Sequence, residues 1–188
     1  MLTKGVFGAL RTLLGLALVG SVIWQVADRI RVDLFRPTEY FAYFSITSAI
    51  FAGVVLLFSG LVLLRGKSES ERLNIIRLIA VVSMIIVGVV YHALLGDSAL
   101  DPRDYGYDWP RVPNAIIHTY APVLIVVDYL FSLKGPRPKL RKALWVVIYP
   151  LAWLGLSIIR GLSDGVRDGA GWRERQVGLD DKALAFGL

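Results

Sequence analysis

The stretch Pro113–Leu133 is apolar enough to lie in a membrane, yet it carries Asn114, His118, Pro122 and Asp128. Polar and ionisable groups are costly in hydrocarbon, so those that persist tend to face a bundle interior or a wet cavity. An imidazole in such a place is a candidate general base. Acyl transfer pairs a base of this kind with a hydroxyl, which is a weak nucleophile until its proton is taken. Ser45 and Thr47, in the apolar stretch Tyr40–Leu64, are the hydroxyls in question. They lie about 200° apart around a helix, so only one of them can face His118. Asn114 stands one turn from His118 on the same face, where it would orient the imidazole or donate to an oxyanion. Asp128 is about 15 Å further along by helix rise, too far to be that histidine's direct partner. It is expected to pair near the inner end with Lys134 or another basic group. Pro122 predicts a kink that frees a carbonyl near residue 118.

Plainer readings stand beside these. Ala42, Ser45, Ser48 or Ala49, and Ala52 or Gly53 form a small-residue stripe suited to close helix contact. His92, beside Tyr91, adds a second imidazole. Two histidines on adjacent helices can ligate a haem or a metal, but two are too few for a closed zinc site without carboxylates, although Asp97 is near. The chain has no cysteine, which excludes disulfides, thiolate metal sites and a Cys nucleophile. No cofactor is expected.

The elements that must position these residues follow from composition. Fifty-five per cent of the residues are hydrophobic and the mean hydropathy is +0.58, too apolar for a soluble domain of this size. The apolar residues fall in uncharged runs at Leu13–Ala27, Tyr40–Leu64, Leu78–Gly96, Val112–Val127 and Ala143–Ile159. A bilayer core needs about 20 residues of helix. The runs therefore predict an all-α, polytopic transmembrane bundle with five helices, at about 6–27, 39–64, 73–95, 113–133 and 141–160. A β-barrel would show short alternating segments instead. The bundle occupies 1–160, and a Gly-rich polar tail follows over 161–188. The first helix reads as an uncleaved span, because no small-residue cleavage site follows it.

The net charge of +6 reads as topology and not as nucleic-acid binding. Ten basic residues (Lys4, Arg11, Arg65, Lys67, Arg72, Lys134, Arg137, Lys139, Arg141 and Lys142) fall on the N-terminal side, against five (Arg29, Arg31, Arg36, Arg103 and Arg111) on the other. The positive-inside rule then predicts a cell-membrane protein with a cytoplasmic N-terminus. The loop Gly96–Arg111, with Asp97, Asp101, Asp104 and Asp108, faces outward. Its Tyr105, Tyr107 and Trp109 fit an interfacial aromatic belt. Counted from Glu39 and Pro113, Ser45 lies roughly 9 Å and His118 roughly 8 Å below the outer interface, which sets them level.

The segments Tyr43-Phe44-Ser45-Ile46-Thr47-Ser48-Ala49 and Asn114-Ala-Ile-Ile-His118-Thr-Tyr-Ala-Pro122-Val-Leu-Ile-Val-Val-Asp128-Tyr resemble the androgen-induced-protein family of multi-pass membrane proteins and its bacterial members. Ile148-Tyr149-Pro150-Leu151 and Arg160-Gly161 extend the resemblance, which covers about residues 5–165. Animal members are threonine hydrolases of fatty acid esters of hydroxy fatty acids, with a threonine on helix 2 and a histidine on helix 4. The resemblance places these roles on Ser45 and His118, the pair reached from depth. Serine keeps the hydroxyl. The chain departs from the pattern at Ala49, where the family has an asparagine, and after Gly161, where a sixth helix is expected. Arg160 and the tail's Arg167, Arg173, Arg175 and Lys182 also fall on the side that should be poor in positive charge. The missing sixth helix and the misplaced positive charge lead us to expect a truncated or frame-altered C-terminus.

The sequence thus predicts a membrane-lipid-facing hydrolase of fatty acyl esters. Ser45 is its nucleophile and His118 its base, with Asn114, Thr47 and Asp128 in support. The alternative is a non-catalytic carrier, lipid-binding scaffold or bis-His haem protein.

Overall fold

The computed structural model describes residues 2–95, 104–131 and 144–162. It is all-α, with no strand among the described residues. Helix α1 runs Leu2–Arg31, a short α2 covers Pro37–Tyr40, α3 is Phe44–Leu64, and α4 is Glu71–Val90. A π-helical turn, Tyr91–Leu95, closes α4. Helix α5, Arg111–Ala115, passes through a second π turn, Ile116–Tyr120, into α6, Ala121–Phe131. A 3-10 turn at Leu144–Val147 leads into a helix over 148–162.

Five helices are long and apolar enough to cross a membrane: Lys4–Arg31, Phe44–Leu64, Glu71–Leu94, Arg111–Phe131 and Leu144–Leu162. The five predicted helices are all present. One boundary differs in a way that matters. The second was expected over 39–64, but Pro37–Tyr40 forms its own turn and α3 starts only at Phe44. Pro37 opens that turn in the position where its missing N–H costs nothing. Tyr40 and Phe41 then pack edge-to-face on Phe35, which fixes the bend before α3.

The chain divides into two units, Met1–Tyr149 and Pro150–Leu188. Of the second unit, 150–162 is described; it is helical, and most of its side chains are exposed. Asp97, Asp101 and Arg103, the basic run from Lys134 to Lys142, and the tail beyond Leu162 lie outside the described residues.

Within the first unit, α1 and α3 approach through glycine. A Cβ added at Gly15 would sit 2.8 Å from the carbonyl oxygen of Gly53, and one at Gly60 would sit 2.8 Å from that of Gly8. Gly8 and Gly15 on α1 thus face Gly60 and Gly53 on α3 at matching seven-residue intervals. Without side chains the two backbones touch, which is how helices associate where lipid removes the hydrophobic drive. The core between α1, α3, α4 and the α5–α6 segment is filled by Leu18, Ala52, Leu56, Met84, Ile117 and Ile125, all buried.

Candidate functional site

Helix α3 presents one inward stripe, 45-49-52-56-59-63, at helical spacing. Ala49, Ala52, Leu56, Ser59 and Leu63 are buried, and Ser45 is the half-buried outermost member. Thr47 lies off that stripe. Its hydroxyl donates back to the carbonyls of Tyr43 at 3.3 Å and Phe44 at 3.2 Å. Such local bonding is the common fate of a hydroxyl near a helix start. Of the two predicted hydroxyls, Ser45 alone falls on that stripe by helical spacing, although both residues are half-buried. Because α3 begins at Phe44, counting from helix starts no longer sets Ser45 level with His118; both residues are half-buried.

Opposite α4, the segment carrying His118 is a π turn. Pro122 has no N–H to give the His118 carbonyl, and its ring crowds the residue four back. The chain accommodates it by bonding the Ala121 N–H to the Ile116 carbonyl, five residues away. Helix α4 meets this bend at Gly88, where a Cβ would lie 3.0 Å from Pro122. The expected kink is therefore a widened turn, gripped by a glycine on the neighbouring helix.

The widened turn sets the imidazole. His118 Nδ1 lies 3.0 Å from the Asn114 carbonyl oxygen. That oxygen can only accept, so Nδ1 carries the proton, and in the neutral form of the ring the lone pair lies on Nε2. Among the described residues no hydrogen bond reaches Nε2. The ring stacks on Tyr91 with centroids 4.2 Å apart. The Asn114 amide Nδ2 donates to the Tyr91 hydroxyl at 2.9 Å, and His92 Nε2 meets Thr119 Oγ1 at 3.1 Å. Asn114 orients the imidazole as expected, but through its backbone, while its side chain holds the aromatic that the imidazole lies on. Π-helical turns collect at functional positions. Here the two of them carry both histidines of the chain.

No hydrogen bond joins Ser45 to His118 among the described residues. One turn along α3, Ser48 is fully buried and its Oγ has no partner within the described structure.

Asp128 belongs to a different centre. Its carboxylate accepts from Arg11 Nε at 2.9 and 3.0 Å and from Arg77 Nη1 at 2.9 Å. Arg11 Nη1 also reaches Glu69 at 2.9 Å and donates to Ser59 Oγ at 2.7 Å, and Ser59 donates on to Glu69 at 2.7 Å. Arg77 meets Glu69 at 3.4 Å. Two guanidiniums and two carboxylates thus balance in the interior, with Arg11 and Arg77 at most 2% exposed. The basic group expected for Asp128 proves to be this arginine pair; Lys134 lies outside the described residues. Arg11, one of the basic residues counted on the N-terminal side, is here a buried partner of two carboxylates.

At the opposite end, Asp104 bridges Arg29, at 2.8 Å, and Arg36. The Arg29 guanidinium lies 3.8 Å above the Trp109 ring and 5.5 Å from that of Tyr107. Trp109 also packs on Tyr40 and Tyr43. The described part of this loop therefore ties onto the bundle end, beyond what an interfacial belt requires, while Tyr105 remains exposed. Tyr40 donates to Gln25 Oε1 at 3.0 Å. Burial pushes its phenol well above the ordinary tyrosine range, against the opposing pull of Arg29.

Among the described residues no group of three or more His, Cys, Asp or Glu side chains could hold a metal ion. Comparison with known proteins adds no relative: no protein-family model matches the chain, and no curated protein or solved structure matches it either.

Proposed function

We propose that this chain is a multi-pass cell-membrane protein, with its N-terminus in the cytoplasm, that hydrolyses fatty acyl esters of membrane-dissolved lipids. The resemblance to the androgen-induced-protein family supplies the reaction class. The observation that carries the reading is the state of His118, whose Nδ1 is held by a backbone carbonyl so that Nε2 is the basic atom. The place of Ser45 in line with the buried stripe of α3, against the self-bonded Thr47 off that stripe, supports Ser45 as its partner.

In this reading Ser45 Oγ attacks the ester carbonyl carbon as its proton passes to Nε2. The alcohol leaves with that proton. Water then attacks the acyl-serine, giving its proton to Nε2, and the fatty acid departs as Ser45 is restored. Serine and histidine are not hydrogen-bonded in the resting structure, so the pair must close on substrate, as catalytic contacts commonly do. The exposed apolar flanks of the helices admit a lipid sideways.

One observation favours the non-catalytic alternative of a carrier, lipid-binding scaffold or haem protein. His118 lies stacked against Tyr91, and no hydrogen bond joins it to Ser45 among the described residues. Purified protein assayed on a lipid-ester library, beside Ser45→Ala and His118→Ala, separates the two. Activity lost in both variants supports the hydrolase, and equal turnover in all three overturns it. A Soret band in the purified protein would assign the histidines to haem.

A further inference from the structure

An apolar groove of about 260 Å³ runs between α1 and α6, lined by Leu10, Leu14, Leu124 and Val127, with Arg11 and Asp128 at its floor. Leu10 and Leu124 are half exposed, so the groove opens outward, towards lipid in a membrane-spanning chain. The two charged residues at its floor satisfy each other and leave almost no polar surface to a guest. The volume falls just below the range of about 300–1,000 Å³ typical of small-molecule pockets. It suits a single hydrocarbon chain.

What lies above the groove is charged. Lys4 stands one turn above the groove residue Phe7 on the same face of α1, some 10 Å along the axis from Arg11. Its exposed ammonium donates to Ser68 Oγ at 2.9 Å. That contact brings the α3–α4 loop beside Lys4, and with it the exposed Arg65 and Lys67, with the exposed Arg72 in the first turn of α4. Cations at the headgroup level above a chain-sized slot complement a phosphate carrying an acyl tail.

We infer that the α1–α6 groove holds one acyl chain of an anionic phospholipid whose phosphate sits on Lys4 and the basic α3–α4 loop. The site lies at the opposite end of the bundle from His118 and does not depend on the hydrolase reading. With a cytoplasmic N-terminus it faces the leaflet richer in anionic lipid.

The test is thermal unfolding of the full chain in neutral detergent. It is run with added dioleoyl phosphatidylglycerol, phosphatidylcholine of the same chains, or soluble glycerol phosphate. Saturating phosphatidylglycerol is expected to raise Tm by about 5–10 °C, as a ligand well above its Kd does in a chain of this size. Phosphatidylcholine and glycerol phosphate should do little. Lys4→Gln, at an exposed position, removes the headgroup contact, and Leu124→Trp fills the slot; each should cut the shift by half or more. Equal shifts from the two lipids, or variants that respond as wild type, overturn the inference. So does a shift from glycerol phosphate alone, which would mark a free-phosphate site. A lipid-free dimer that Leu124→Trp dissolves would put a second copy in the groove and overturn it as well.

Discussion

The imidazole of His118 lies nearly parallel to the ring of Tyr91, 4.2 Å from it, although the two residues sit on different helices. Both occupy π turns, and Asn114 closes the triangle through its amide on the Tyr91 hydroxyl. Under the hydrolase reading, the stack is what keeps Nε2 aimed. Tyr91→Phe keeps the ring and loses one hydrogen bond, so a fall in kcat of about threefold to tenfold is expected, the scale of about 1 kcal/mol. Tyr91→Leu removes the stack and should cost clearly more. Steady-state turnover on the best ester of a library checks the order.

Ser45 and Thr47 make a matched pair of controls. Thr47→Val removes only a hydroxyl that bonds its own helix, and is expected to leave turnover within about twofold and stability within about 0.5 kcal/mol. Ser45→Ala should abolish turnover. A Thr47→Val variant as inactive as Ser45→Ala would refute the assignment of Ser45.

The interior charges must stay balanced. Asp128→Asn leaves two guanidiniums against Glu69 alone, and removing one partner of a buried ion pair costs about 3–5 kcal/mol. Adding Arg77→Met to that variant restores the balance and should recover part of the loss. Unfolding in detergent, followed by circular dichroism, would show the recovery; a double variant weaker than Asp128→Asn would contradict the balance argument.

The α1–α3 contact has no room. Gly15→Leu pushes a side chain into the Gly53 carbonyl and Leu57, and overpacking of this kind costs about 1–3 kcal/mol. Gly20→Leu, at a position with nothing near its Cβ, is the control and should be close to neutral. The difference in their thermal midpoints reads the contact directly.

Tyr40 predicts an alkaline limb in the stability profile. Its folded phenol is held protonated by burial, whereas the unfolded chain releases that proton near pH 10. The folded state thus binds more protons above that pH, so the Tyr40 contribution is complete below about pH 10 and is lost as pH rises beyond it. Tyr40→Phe should flatten that limb, and denaturant midpoints measured from pH 8 to 11 would reveal it.

Much of this fold is legible in the chain. Charge exclusion over spans of membrane length locates all five helices, because only a helix satisfies its own backbone in hydrocarbon. The break before Phe44 is not legible, since Tyr40–Leu64 carries no charge or proline; tertiary packing of Phe35, Tyr40 and Phe41 makes it. His118 and Asn114 were visible as polar residues in an apolar run. The tautomer was not, because it depends on a carbonyl that Pro122 reorganises. The burial of Arg11 was not legible either. A lone arginine near a helix end looks like a topological flank, and only the folded chain brings a carboxylate to it.

That last contact also orders the making of the protein. Arg11 is synthesised first, and the carboxylate that accepts from its Nε comes 117 residues later on α6. The glycine faces of α1 and α3 can meet long before, but the pairing that neutralises Arg11 and Arg77 waits for the fourth span. Nascent chains stalled ahead of Asp128 hold one carboxylate, Glu69, against two guanidiniums. Quality control in the membrane would meet an incomplete centre in each such chain, and a closed one only after Asp128 has entered.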